Sequence, residues 1–234
     1  MVHMIDDVRK TVLTALNKEN RGYLTPEQFN LYAKQAQMNV FNLYFSEYNK
    51  LVAMKNARRL SSEHGDTLSA LQEKIDSFVT SDDISIDGSS YPIPSDMYQA
   101  INLQYDGKIA EKVSLSRALL LGSSNMTSPN SLYPTYTESD GVYKMNPTNV
   151  TVDVIVNYIR VPKDPVWTYQ NISASEDPIF NPNITGYQDF EVPAEDAPKL
   201  VLEILKLAGV TIRDAEVVQG ATSLDTNQYQ KENS

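Results

Sequence analysis

The chain has 234 residues, which is enough for one large domain or two small ones that bury a core without disulfides. Its 30 acidic and 20 basic residues give a formal net charge of −10. This balance argues against nucleic-acid or anionic-membrane binding as the main function, because both depend on Lys and Arg. With no cysteine and two histidines, the sequence excludes disulfides, thiolate metal sites and cysteine nucleophiles.

The N-terminal segment and the hydropathy pattern give no sign of export or membrane insertion. Asp6 and Asp7 lie where a secretory signal needs an apolar run. The apolar stretches are short and carry charges, well below the length of about 18 residues that predicts a membrane span. We therefore expect a soluble protein that is made in the cytoplasm and has no membrane partner.

Residues 1–80 are predicted to form a helical subdomain. Met4–Asn17 places its apolar residues on one helical face, and a third helix is predicted over Thr67–Val79. Between them, a long helix is predicted from Pro26 to about residue 60. Thr25 supplies its N-cap, and Gln28 completes a capping box.

The long helix carries more apolar surface than one packing partner needs. Its apolar residues form two adjoining rows, which are Phe29, Ala33, Ala36, Val40 and Leu43, and Phe41, Tyr44, Phe45, Tyr48 and Val52. One interpretation is that the helix is enclosed by the other helices and the β part. The other is that one row contacts a neighbouring subunit, because aromatic residues are enriched in interface centres. Phe41, Tyr44, Phe45 and Tyr48 are therefore interface candidates.

Residues 81–192 are predicted to be mainly antiparallel β structure. Met97–Tyr105 and Lys108–Val113 alternate in polarity around Asp106 and Gly107, which predicts a tight hairpin.

A second hairpin is predicted for residues 132–145, with its turn at Asp140 and Gly141. A short helix, residues 115–121, is predicted between the two hairpins, where Ser114 is the N-cap and Gly122 ends the helix.

The longest predicted strand begins at Val150, where β-branched residues alternate with mixed ones. Pro162 stops this strand, and Trp167 follows the stop. Residues 168–186 are predicted to be a loop, and Tyr187–Val192 a short strand.

The C-terminal region is predicted to be helical, with one helix over Ala194–Ala208 ended by Gly209 and a second over residues 212–219. Residues 221–234 are predicted to be a disordered tail. The predicted fold class is α+β, in which an N-terminal helical bundle packs on an antiparallel β subdomain. The C-terminal helices, residues 193–220, return to the helical layer.

The sequence carries no pattern that indicates catalysis. Asp83 begins a segment like a calcium-binding loop, but Pro94 stands where a bidentate Glu is required. Ser61–Asp66 contains the residue types of a hydrolase triad, yet neighbours in sequence cannot adopt triad geometry. No two carboxylates stand out as a glycosidase pair. We expect no enzyme, and we assign no catalytic, cofactor or metal residues.

Several strings together resemble one protein family. They are Asn17-Lys-Glu-Asn-Arg-Gly-Tyr-Leu-Thr-Pro-Glu-Gln-Phe-Asn30, Ala33-Lys-Gln-Ala-Gln37, Ser128-Pro-Asn-Ser-Leu-Tyr-Pro134, Gly141-Val-Tyr-Lys-Met-Asn-Pro147, Val156-Asn-Tyr-Ile-Arg-Val-Pro-Lys-Asp-Pro-Val-Trp167 and Ile204-Leu-Lys-Leu-Ala-Gly-Val-Thr-Ile-Arg213. In this order, over residues 5–219, the chain resembles the virion ring proteins of crAss-like and related tailed bacteriophages.

The resemblance implies a structural role in the virion. Proteins of this family stack as rings beneath the portal and join the DNA-filled head to the tail, with twelvefold symmetry that matches the portal. The implied partners are other copies of the chain, the portal protein and neighbouring ring or tail proteins, while DNA passes through the channel. The family supplies no catalytic residues to carry over.

Ring subunits need two different contact faces, because head-to-tail contacts close by rotation. Besides the aromatic row, we expect the turns at Asp106-Gly107 and Asp140-Gly141 and the region of Trp167 to meet neighbouring proteins. The net charge of −10 also suggests an acidic channel that repels DNA and lets it slide.

Two alternatives stay open. The chain fits another virion part, such as a tail-tube or head-decoration protein. A carbohydrate- or receptor-binding module is the other, since 14 tyrosines and Trp167 provide rings that stack on sugars.

Overall fold

The structure is a computed structural model that describes residues 3–18, 24–56, 64–148, 153–170 and 178–211. The chain divides into two compact units. The helical unit comprises residues 1–74 and 162–234, and the sheet unit comprises residues 75–161. Within the described ranges, the fold is mixed α+β, as the sequence predicts. Residues 162–192, which the prediction places with the β part, cluster with the helices instead.

The helical unit is built from helices at both ends of the chain. They are α1 (Met4–Lys18), α2 (Pro26–Asn56), α3 (His64–Asp76, of which the last two residues belong to the sheet unit) and α5 (Ala197–Thr211). Helix α5 packs against both α1 and α2, so the predicted return of the C-terminal helix to the helical layer is confirmed for its first member. The second predicted C-terminal helix and the tail lie outside the described residues.

Helix α2 begins at the predicted capping box. The Thr25 amide donates to Gln28 Oε1 at 3.1 Å, and the Gln28 amide donates to Thr25 Oγ1 at 3.2 Å. Two backbone amides at the helix start are thereby satisfied. The helix is described to Asn56, and the last predicted turn lies outside the described residues.

The connection between the sheet unit and α5 differs from the prediction. The predicted loop contains a small hairpin, β8 (Tyr169–Gln170) with β9 (Ile179–Phe180). The predicted strand Tyr187–Val192 is wrong, because this segment makes a single bridge between Val166 and Gln188. Its Asp189 side chain bonds backbone amides in place of a neighbouring strand.

Helix α5 also differs from its prediction at both ends. Its first turn is a 3₁₀ helix, Ala194–Asp196, and the α-helix then continues through Gly209 to Thr211. Gly209 is therefore an interior helical residue and not the predicted C-cap.

The sheet unit contains one seven-stranded sheet in the order β1-β7-β3-β4-β5-β6-β2. Its strands are β1 (Val79–Ile84), β2 (Tyr91–Pro92), β3 (Met97–Tyr105), β4 (Lys108–Lys112), β5 (Thr135–Ser139), β6 (Val142–Asn146) and β7 (Val154–Arg160). Both predicted hairpins, β3–β4 and β5–β6, are confirmed. The pairing of β4 with β5 is parallel, and helix α4 (Leu115–Gly122) forms the crossover between them.

The third predicted helix ends earlier than expected, at Asp76, and Val79 already belongs to β1. The reason is pairing over a long sequence distance, since β1 lies antiparallel to β7 along its whole length. Strand β7 itself begins at Val154 in the described part, and the predicted start at Val150 lies outside that part.

The sheet must curve strongly. Its edge strands β1 and β2 are separated by five other strands, a flat width of about 29 Å at ordinary strand spacing. The chain from Ile84 to Tyr91 spans at most about 25 Å. Both residues are buried in the same core, which a curved sheet encloses.

Tyrosines dominate the core of the sheet unit. The buried set on the concave face includes Tyr91, Tyr105, Tyr136, Tyr143 and Tyr158, packed among Leu103, Val154 and Val156. The Tyr158 hydroxyl lies 2.6 Å from Asp82 Oδ2 and 3.0 Å from Asp96 Oδ1, which connects β7 to β1 and to the start of β3.

The β3–β4 turn gives a test of this fold. Asp106 has a φ of 49° and Gly107 a φ of 72°. Since a left-handed conformation costs an L-residue about 1–2 kcal/mol, Gly107→Ala should lower the free energy of unfolding by about that amount. Urea unfolding followed by the near-ultraviolet circular dichroism of the tyrosines measures it.

Gly122→Ala is the matched control, because Gly122 ends α4 without a positive φ and has open space around its Cα. We expect the control to be neutral or slightly stabilising. Equal losses in the two variants would contradict the argument.

Candidate interaction surfaces

The aromatic row of α2 contributes mainly to the core of the helical unit. Phe41 and Tyr44 are fully buried, so the prediction that they face a neighbouring subunit is wrong. They complete the core that Phe29, Ala33 and Val40 begin. Phe45 and Tyr48 are half-buried, and an interface role for these two stays a prediction.

Trp167 is likewise a core residue and not a surface one. Its side chain is buried, and its Nε1 donates to Asp6 Oδ1 at 3.1 Å. The Arg9 guanidinium lies 3.9 Å from the indole centroid, a cation–π contact. Tyr169 and Phe180 stack near the ring as well. The indole face is therefore occupied within the chain, which removes the main support for a sugar-stacking role.

The two Asp-Gly turns lie at exposed hairpin tips. Asp106, Gly107, Asp140 and Gly141 are exposed, and all four residues have a positive φ. This backbone geometry alone explains the residue types, because a type I′ turn needs positive φ at both central positions. Contact with neighbouring proteins at these tips stays a prediction.

The helix between the hairpins presents an apolar surface to solvent. Helix α4 has no buried residue, and the exposed fractions are 63% for Leu115, 69% for Leu119 and 72% for Leu120. Its half-buried residues, Ala118 and Leu121, are three positions apart and form the face nearest the sheet. We refer to Leu115, Leu119 and Leu120 as the leucine surface.

The segment after α4 also exposes apolar side chains. Met126 is 96% exposed, Leu132 63% and Tyr133 76%. The Glu111 amide bonds Pro134 O at 3.0 Å, which ties this segment to β4. Exposed apolar side chains that form a large patch mark protein contact sites, which makes α4 and this segment candidates for such a site.

The helical unit contains an apolar groove between α1 and α5. The groove has a volume of 540 Å³ and is lined by Met4, Val8, Thr11, Pro198, Val201 and Leu202. Asp7 is the charged side chain among its lining residues. We refer to this feature as the α1–α5 groove.

Asp189 fixes the α1 wall of the groove. Its Oδ2 accepts from the Met4 amide at 2.9 Å, and its Oδ1 accepts from the Ile5 amide at 2.8 Å. A carboxylate at this position satisfies two free amides and interacts favourably with the helix dipole.

Asp196 fixes the α5 wall. Its side chain is 5% exposed, and its Oδ2 accepts from the Tyr44 hydroxyl and the Lys74 Nζ, each at 2.7 Å. Lys199 Nζ lies 3.5 Å from Oδ1. The residues that follow Asp196, Ala197 and Pro198, line the groove.

The bonds to Asp196 also determine its protonation. Burial alone would raise the pKa of its carboxyl, but hydrogen bonds from Lys74 and Tyr44 and the positive charges of Lys199 and Lys74 outweigh burial and hold the pKa below its ordinary value. Burial, followed by the hydrogen bond to Asp196, raises the pKa of Tyr44. The carboxylate is therefore charged and the phenol protonated at neutral pH.

The described ranges contain no group of three His, Asp or Glu side chains that could hold a metal ion. In the segment that resembles a calcium loop, Asp83 belongs to β1, and Asp87 pairs with Ser90 across a turn in which Gly88 has a φ of 64°. No helix described here has both the length and the apolar character that a membrane crossing requires.

Comparison with known proteins finds no matching family model and no match among curated proteins.

Sequence reasoning did not single out the leucine surface or the α1–α5 groove. The sequence of α4, Leu-Ser-Arg-Ala-Leu-Leu-Leu-Gly, does contain a signal, because four leucines in eight residues exceed what one buried face of a short crossover helix holds.

The Asp196 cluster gives a second prediction. Asp196→Asn removes the charge that two lysines face in a buried site, so the helical unit should lose about 3 kcal/mol at neutral pH. Unfolding is followed by the fluorescence of Trp167, the single tryptophan of the chain. Asp164→Asn is the matched control, since Asp164 pairs with Lys34 at the surface and should cost less than about 1 kcal/mol.

The pH dependence has a definite sign. Because the folded-state pKa of Asp196 is lowered, its contribution is present above the unfolded-state pKa of about 3.9 and is lost as the pH falls through the folded-state pKa. The stability of Asp196→Asn should therefore fall less steeply than that of the natural chain below pH of about 4. Parallel pH profiles for the two proteins would contradict this assignment.

Proposed function

We propose that the chain is a structural virion protein that forms a ring in the head-to-tail connector of a tailed bacteriophage. In this role it joins the portal to the tail and leaves a channel for DNA. It acts at the head-tail junction of the virion and has no catalytic function. Its partners are other copies of itself, the portal protein and neighbouring ring or tail proteins.

The observation that carries the proposal is the leucine surface of α4. A crossover helix ordinarily buries its apolar side chains on its own sheet, whereas Leu115, Leu119 and Leu120 are each more than 60% exposed. Such a surface suits a protein that functions as a subunit of a permanent assembly. The resemblance of six strings over residues 5–219 to virion ring proteins supplies the kind of assembly.

The charge of the chain supports the same role. A net charge of −10 suits a channel wall, because like-charge repulsion lets DNA slide without binding. This repulsion acts within about 10 Å at moderate salt. Residues that face the lumen of an assembled ring should therefore be net acidic, and a neutral or basic lumen in an image of the assembly would reject this part of the proposal.

Other virion roles differ from this one in measurable ways. A tail-tube protein would form long stacks, and a head-decoration protein would bind the capsid surface rather than the portal. Ring size and position in intact particles separate these cases.

The test of the proposal is assembly with the portal. We expect the natural chain to form rings on the portal, seen by negative-stain imaging and measured by light scattering. Leu119→Glu should weaken assembly by about 2 kcal/mol or more, which is about 30-fold. The reason is that the substitution places a charge in a contact between subunits from which water is excluded. The fold should be unchanged, since Leu119 is 69% exposed.

Leu31→Glu is the matched control, because Leu31 is 65% exposed on α2. It should assemble like the natural chain. The proposal is rejected if the natural chain neither forms rings nor binds the portal.

A further inference from the structure

We propose that, in the assembled ring, the leucine surface of one copy docks into the α1–α5 groove of the next copy. The inference rests on the proposed function, because it names the contact that closes the ring. The occupant of the groove is thus a helix from a second copy of this chain.

The two features match in size and chemistry. Helix α4 has eight residues and is about 12 Å long, and the lining of the groove from Met4 to Thr11 extends about 10 Å along α1. An apolar helix face in an apolar groove between two helices is a common recognition mode. The volume of 540 Å³ suits side chains such as Leu115 and Leu119.

Their charges are complementary. Arg117 is the one charged residue of α4, and it precedes Leu120 by three positions, so it borders the leucine surface. Asp7 is the acidic residue among those that line the groove, one turn from Met4 and from Thr11. Docking would bring a positive and a negative side chain to the edge of an otherwise apolar contact.

The same charges disfavour symmetric contacts. If α4 packed on α4 of another copy, both Arg117 side chains would belong to the same short contact, and a groove-to-groove contact would do the same with Asp7. Like charges across an interface suppress such pairings. The remaining arrangement is heterologous, from helix to groove, which is the type of contact that closes into a ring.

Charge reversal tests the pairing. Arg117→Asp and Asp7→Arg should each weaken ring assembly about tenfold or more, since each places like charges together. The chain that carries both substitutions should regain assembly, because the pair is restored in the opposite sense. Failure of the double variant to regain any assembly while it remains folded would overturn the pairing.

Cross-linking tests the contact directly, and the natural chain contains no cysteine to interfere. Leu119→Cys and Val201→Cys are prepared as separate proteins, mixed and oxidised. Because each copy carries one thiol, a disulfide-linked dimer reports a contact between copies whose Cα atoms lie within about 7 Å. We expect dimers in the mixture and not in either protein alone.

Leu31→Cys replaces Val201→Cys in the control mixture, which should stay monomeric on a non-reducing gel. Dimers from Leu119→Cys alone, as abundant as in the mixture, would indicate a symmetric contact and overturn the inference. Rings that form without mixed dimers would overturn the inference and leave the proposed function standing. Absence of rings and of portal binding would reject the proposed function itself.

Discussion

The helical unit depends on one buried carboxylate, that of Asp196. Removing an ion from water costs several kcal/mol, and the site offsets this cost with hydrogen bonds from Tyr44 and Lys74 and the nearby charge of Lys199. These partners come from α2, α3 and α5, so three helices meet at the Asp196 carboxylate. The start of α5 is held there, and Ala197 and Pro198, which follow Asp196, line the α1–α5 groove.

Several acidic residues of this protein stabilise its fold through hydrogen bonds and are not simply surface charges. Asp189 caps α1, Asp196 joins three helices, and Asp6 accepts a hydrogen bond from the indole N–H of Trp167. In the sheet unit, Asp82 and Asp96 lie within hydrogen-bonding distance of the hydroxyl of the buried Tyr158. The net charge of −10 would thus be only partly available for the proposed channel wall. The carboxylates of Asp189, Asp196 and Asp6 accept hydrogen bonds from side chains or backbone amides, which partly balance their negative charge.

Local signals in the sequence predicted the local structure well. The capping box at Thr25, the two Asp-Gly turns and the Ser114 cap of α4 each depend on residues within one turn of the chain. Features that depend on distant residues were missed. Strand β1 pairs with residues of β7 that lie 70 to 80 positions later. Tyr187–Val192 is not a strand, and its Asp189 side chain accepts hydrogen bonds from the backbone of α1. Phe41 and Trp167 were predicted to be interface residues, but both are buried. The spacing of aromatic residues in a sequence does not show which distant residues pack over them.

Three buried aromatic side chains and the exposed leucines of α4 differ in the contacts that their chemistry requires. Tyr44, Tyr158 and Trp167 each carry a polar hydrogen that must find a particular acceptor when buried, so they define one arrangement of the subunit. The leucine surface needs no hydrogen-bond acceptor, and it can pack against any apolar surface of suitable shape. A contact made of leucines alone would therefore specify no single partner. In the contact that we propose, charged residues at the edge would supply the selectivity, because a mismatched charge costs far more than an imperfect apolar fit.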